Sequence, residues 1–157
     1  MLPKWHILLG FIFSVLIYYL FNLSLLEASI VFLSSFLIDI DHYVWFIFKK
    51  KTFNLNKSYK WFIKKRKFFL ALPINIRKKY KRSILFLHGI EFCLVIFFLS
   101  FIYNLFLFVL LGIIFHLLLD YIDIICTGEP LYAKISQVLV IIKNKNKKPN
   151  PFFNYIL

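Results

Sequence analysis

The sequence predicts an all-α integral membrane protein: a four-helix bundle of two transmembrane hairpins, with a basic cytoplasmic loop and a short C-terminal interfacial helix. Three observations predict it. Of the 157 residues, 61% are hydrophobic and the mean hydropathy is +0.78, whereas a soluble domain is typically about 45–50% apolar. Four stretches reach the length of about 20 apolar residues that a span requires. The basic residues, which give a net charge of +13, all fall on one side of those four spans.

The bundle is assigned to residues 1–126 and a tail to 127–157. The first span covers about 6–26. Its basic flank is only Lys4, and Leu26-Glu27-Ala28 is a poor cleavage site, so it reads as a mature helix rather than a signal peptide. The second span covers 29–48, the third 83–103 and the fourth 104–126. A residue or two at most separates the first from the second, and the third from the fourth, which makes two tight hairpins. Between the hairpins, residues 49–82 carry fourteen of the twenty Lys and Arg residues; the tail carries five, and Lys4 is the last. By the positive-inside rule this side is the cytoplasm, with both termini in it, at the inner (cytoplasmic) membrane of a cell.

Within the basic loop, residues 60–72 interleave Trp61, Phe62, Phe68 and Phe69 with Lys and Arg. That pattern suits a helix lying on anionic membrane lipids. It also suits a nucleic-acid surface, which is the less favoured partner beside four spans. The apolar segment 131–142 is about half a span long and reads as an interfacial or packed helix. Cys93 and Cys126 show no metal or redox spacing and read as reduced, buried thiols. Gly is scarce and no phosphate-cradling loop is present, so nucleotide-binding classes have little to stand on.

All four histidines and most of the acids lie within the spans. Ionisable groups in hydrocarbon are expensive, and mark functional sites by default. On the second span Asp39 and His42 are three apart, hence on one face, while Asp41 points elsewhere on a regular helix. On the third, His88 and Glu91 are three apart. On the fourth, His116, Asp120 and Asp123 form one stripe, and His6 opens the first. Spans one and three enter from the cytoplasm, whereas two and four leave toward it. The polar groups of all four therefore meet at similar depth, one to three turns below the cytoplasmic face. Imidazoles and carboxylates from facing helices are how bundles build metal sites. Nine candidates, His6, Asp39, Asp41, His42, His88, Glu91, His116, Asp120 and Asp123, are enough for one or two divalent ions, zinc above others, with one or two groups left over as supporting partners or a base. Glu91 or Asp123 is the candidate general base or supporting carboxylate. A proton or ion pathway, and mutual structural pairing, are the alternatives for this layer.

An early His, Asp-x-Asp-His ending a second helix, a His after a basic loop and His-x-x-x-Asp in a fourth helix together resemble the YdjM-like family of membrane-bound, metal-dependent hydrolases, over roughly residues 4–125. The resemblance implies that the metal residues are His6, Asp39, Asp41, His42, His88, His116 and Asp120. It departs where the family has Pro before the first Asp and this chain has Ile38, and around the third span, where only Arg82 and His88-Gly89-Ile90-Glu91 stand in for the family's His-Arg and Thr-His-Ser. A more remote similarity to all-helical zinc phospholipases C and nucleases favours phosphoesters. The expected function is metal-dependent hydrolysis of a phosphoester of a lipid or lipid-like substrate at the cytoplasmic leaflet. A metal-ion or proton transporter, and a non-enzymatic membrane adaptor with a structural metal, are the other two expectations.

Overall fold

The structure, a computed structural model, describes residues 3–153. Residues 1–2 and 154–157, which include the two chain ends assigned above to the cytoplasm, lie outside the described residues. The described residues are helical, without a strand; one isolated parallel bridge joins Tyr80 and Lys148. In chain order the helices are α1 (Pro3–Phe21), α2 (Leu25–Leu37), α3 (Ile40–Lys50), α4 (Leu55–Ala71), α5 (Ile74–Arg77), α6 (Ile90–Ser100), α7 (Leu105–Thr127), α8 (Tyr132–Ile135) and α9 (Gln137–Asn144).

Three segments are long and apolar enough to cross a membrane: Pro3–Phe21, Leu25–Lys50 and Leu105–Thr127. Their outward faces carry exposed Phe11, Leu16 and Leu20 on α1 and Leu118, Ile122 and Ile125 on α7, as lipid-facing helices require. The expected third span is different. Only Ile90–Ser100 is helical, 11 residues, or about 16 Å against a hydrocarbon core of about 30 Å. The preceding segment gives up helical bonding because side chains supply its partners. Leu85 N–H donates to Gln137 Oε1 at 3.0 Å and Leu87 N–H to Asp41 Oδ2 at 3.2 Å.

Helix α2 packs between α1 and α7, and α6 lies on α7. Small residues permit the close crossings. A Cβ on Gly112 would lie 2.0 Å from Ser34 Oγ and 2.5 Å from the Val31 carbonyl, and one on Gly10 would lie 2.0 Å from Ser35 Oγ. Neither position admits a side chain without parting the helices, the usual basis of helix association in lipid. Ile38, Ile96, Ile113 and Leu117 form the apolar core between α2, α6 and α7.

The second span is interrupted. Ile38 and Asp39 form a turn between α2 and α3, in which Asp39 N–H donates to Phe36 O at 3.1 Å. This i,i+3 bond leaves the Ser35 carbonyl to another donor, and His116 takes it.

The loop helix α4 is amphipathic, as its sequence predicts. Trp61 is buried with Phe46 and Phe152, and Phe62, Phe68 and Phe69 pack against them. The segment expected as one tail helix is split at Ser136, whose hydroxyl caps α9 by accepting from Leu139 N–H. Both cysteines are free thiols; Cys93 is half-buried, but Cys126 is exposed on the face of α7 that carries Ile122 and Ile125, rather than buried as expected.

Candidate metal centre

Four parts of the chain deliver donors to one place. Helix α1 brings His6, the α2–α3 turn and the start of α3 bring Asp39 and His42, the segment before α6 brings His88, and α7 brings His116 and Asp120. His6, His88 and His116 are 0% exposed and Asp120 3%. Three overlapping groups have the geometry to hold an ion: His6–Asp39–His116, Asp39–His42–His88 and His88–His116–Asp120. They share Asp39, His88 and His116, so they are facets of one cluster. Six of the seven predicted ligands meet there.

The hydrogen bonds around the cluster fix its protonation. His116 Nδ1 lies 2.8 Å from the Ser35 carbonyl oxygen, a group that only accepts, so Nδ1 carries the proton and donates. His88 Nδ1 lies 2.9 Å from Asp41 Oδ2 and donates to it in the same way. In the neutral rings each Nε2 is then a bare lone pair. Those two Nε2 atoms face each other at 3.1 Å. Two lone pairs so placed repel unless a proton or a cation lies between them.

The neighbouring distances suit a cation. Asp39 Oδ1 is 3.4 Å from His88 Nε2 and 3.7 Å from His116 Nε2. Asp120 Oδ2 is 3.6 and 3.5 Å from the same two atoms. Tetrahedral donors about 2.0–2.1 Å from a zinc ion lie about 3.3 Å from one another. The other donors flank this set. His42 Nε2 is 3.6 Å from Asp39 Oδ1, and His6 Nε2 is 3.5 Å from Asp120 Oδ1. The His6 ring stacks on that of His116 with centroids 3.9 Å apart, yet neither His6 nitrogen has a hydrogen-bond partner. A buried imidazole left so is costly. Asp39 Oδ2 also lacks a hydrogen-bond partner. Among described residues, these buried atoms without partners fit a site built for a metal.

Asp41, predicted as a ligand, stands behind His88 instead. A carboxylate on the far nitrogen of a ligating histidine fixes its tautomer and raises its basicity. The helix is not regular here, since α2 ends at Leu37 and α3 begins at Ile40, and Asp41 is turned toward His88.

The two predicted base candidates are engaged elsewhere. Glu91 accepts from Ser136 Oγ, from Gln137 N–H at 3.1 Å and from Val138 N–H at 3.2 Å, so it anchors the start of α9. Asp123 receives both guanidinium nitrogens of Arg66, at 2.7 and 2.8 Å. This fork raises the guanidinium of Arg66 above its ordinary value, chiefly through the hydrogen bond to Asp123.

Several residues that sequence reasoning left as surface charge turn inward. Glu129 pairs with Arg77 at 2.8 Å and with Arg82. Lys134, from the tail, sits 2.8 Å from Asp120 Oδ2. Lys65 donates to Ser83 Oγ at 2.8 Å and lies over the rings of Trp45, Trp61 and Phe62. Burial, and then the like charges of Arg82 and Lys134, push its ammonium down to about 7. The available signal was Glu129 and Asp123, two acids on an otherwise basic side of the chain. The tail also reaches the cluster from behind, because Gln137 Nε2 donates to the His88 carbonyl.

No family model matches the chain, and no curated protein or solved structure matches it.

Proposed function

We propose that this chain is a membrane-bound, metal-dependent hydrolase acting on a phosphoester, with its site at the cytoplasmic end of the bundle. One observation carries the reading: His88 and His116 set their Nδ1 atoms on Asp41 and the Ser35 carbonyl, and face their Nε2 atoms toward each other across 3.1 Å, between two carboxylates. His88, His116, Asp39 and Asp120 are the first ligand set, and His6 and His42 complete it for a second ion. A divalent ion in such a site polarises a phosphoryl oxygen and acidifies water.

The chain's own residues supply the rest. Asp39 lines the cavity beside the cluster, and its Oδ2 has no hydrogen-bond partner. Glu91 and Asp123, both engaged by other partners, are not the base in this account. Asp41 and the Ser35 carbonyl hold the two imidazoles in one tautomer. Placement in the inner membrane with cytoplasmic termini follows from the charge asymmetry alone. The test is hydrolysis by zinc-loaded protein in detergent, across phosphomonoesters and phospholipids. Turnover that is removed by a chelator, restored by zinc and absent from Asp39→Asn supports the reading. Fully zinc-loaded protein that cleaves none of them contradicts it.

A further inference from the structure

The cluster forms one end of a cavity of about 410 Å³. Asp39, His42 and Asp120 line it on the cluster side. Facing them are Lys65 and Arg66 of α4, Lys81 and Arg82 of the following loop, and Lys134 of α8. Those five cations share the wall with four carboxylates, Asp39, Asp120, Asp123 and Glu129, a margin of one positive charge. One divalent ion on the cluster raises the margin to three. A neutral substrate leaves that charge crowded, whereas a dianion offsets most of it.

The cations are not equivalent. Arg66 is held by both oxygens of Asp123, Arg82 pairs with Glu129, Lys134 lies 2.8 Å from Asp120 Oδ2, and Lys81 is exposed. Lys65 is half-buried, held by Ser83 and three aromatic rings, with Arg82 and Lys134 as like-charged neighbours. The α4 side of the lining also carries the apolar Leu55, Phe69 and Leu70.

We infer that Lys65, together with Arg82 and Lys134, which also pair with Glu129 and Asp120, forms a phosphoryl-binding wall beside the metal cluster, and that the substrate or product held there is a terminal phosphate in its dianionic form. This rests on the hydrolase reading for its metal and deepens it by naming the substrate class. A terminal phosphate presents three oxygens, enough for the cluster and the basic wall together, whereas an internal diester presents two and one charge. Leu55, Phe69 and Leu70 give the rest of an amphiphile an apolar surface to lie on. The chemistry is common to a lipid headgroup and to a soluble phosphate.

The test uses full-length protein in detergent, loaded with zinc and with its zinc content measured. Inorganic phosphate binding is followed by calorimetry in the parent and in Lys65→Met, which keeps an unbranched stem against the rings. Lys64→Met, an exposed residue on the same helix, removes the same charge. Lys65→Met is expected to weaken phosphate binding tenfold or more, and Lys64→Met less than twofold, with zinc content unchanged in both. Arg82→Gln, on a different element, gives the same loss and keeps the test decisive if Lys65→Met does not fold. Equal affinities in parent, Lys65→Met and Arg82→Gln, all zinc-loaded, overturn the wall and leave the metal reading standing. A parent that holds no zinc overturns the metal reading itself.

A second arm separates the sources. Nanodiscs containing phosphatidic acid are compared with nanodiscs of equal charge containing phosphatidylglycerol, a diester. Preference for phosphatidic acid that is lost in Lys65→Met identifies a lipid monoester. Phosphate binding without that preference identifies a soluble one. Preference for phosphatidylglycerol overturns the terminal-phosphate assignment.

Discussion

Asp41→Asn separates an orienting carboxylate from a metal ligand. In the structure Asp41 Oδ2 accepts from His88 Nδ1 at 2.9 Å and from Leu87 N–H at 3.2 Å, and belongs to none of the donor groups. Asparagine keeps the shape, and its amide oxygen still accepts both protons. What it removes is the negative charge that makes His88 Nε2 a stronger donor. Loss of such an outer partner costs about 10–100-fold in metal affinity, which is about 1.4–2.7 kcal/mol. His88→Ala, which deletes the donor, is expected to cost well over 100-fold. The assay is competition for zinc against a chromophoric chelator of known affinity, with parent, Asp41→Asn and His88→Ala side by side. Affinity of Asp41→Asn within twofold of the parent would refute the orienting role. A loss as large as that of His88→Ala would return Asp41 to the ligands, where the family resemblance first placed it.

Three further outcomes are expected. Gly112→Val drives a side chain into the Val31 carbonyl and Ser34 hydroxyl; overpacking of this kind costs about 1–3 kcal/mol, so a lowered Tm and poor yield in detergent are expected, whereas an unchanged Tm would show that α2 and α7 do not cross there. Arg66→Met leaves the partly buried Asp123 carboxylate without its fork, at about 1–2 kcal/mol for lost hydrogen bonds to a charged group; denaturant midpoints check it, and zinc affinity is expected to stay at the parent value. Lys65 in folded protein titrates near 7, against 10.5 for an ordinary lysine, so between those values the unfolded chain binds the extra proton and the contribution of Lys65 to stability rises with pH; NMR of isotopically dimethylated lysines reads this directly, and a Lys65 signal titrating above 10 contradicts it.

Helical spacing made four of the six cluster residues legible in the sequence. Asp39 and His42 at i,i+3, and His116 and Asp120 at i,i+4, need only a regular helix to share a face, and each pair is together in the structure. His6 and His88 were legible by depth, from the alternating direction of the spans. What was not legible depends on contacts distant in sequence. Gln137 and Asp41 replace the helical bonding of residues 83–89, so the expected third span is short. Glu91 has the spacing of a site residue but serves the tail, because α9 presents its N–H groups there. The loop cations read as a lipid-facing surface by composition, and four of them turn inward because Asp123, Glu129 and Ser83 wait for them. Composition reports how much charge a segment carries, and the fold decides which way it points.

The most direct measurement is the metal content of detergent-purified protein by elemental analysis, beside the double variant His116→Ala with Asp120→Ala. The account predicts one or two equivalents of a divalent metal in the parent, and none in the variant, with the same helical content by circular dichroism. A parent without metal after incubation with zinc, or a folded double variant that retains it, would contradict the account. The facing imidazoles of His88 and His116 would then have to share a proton.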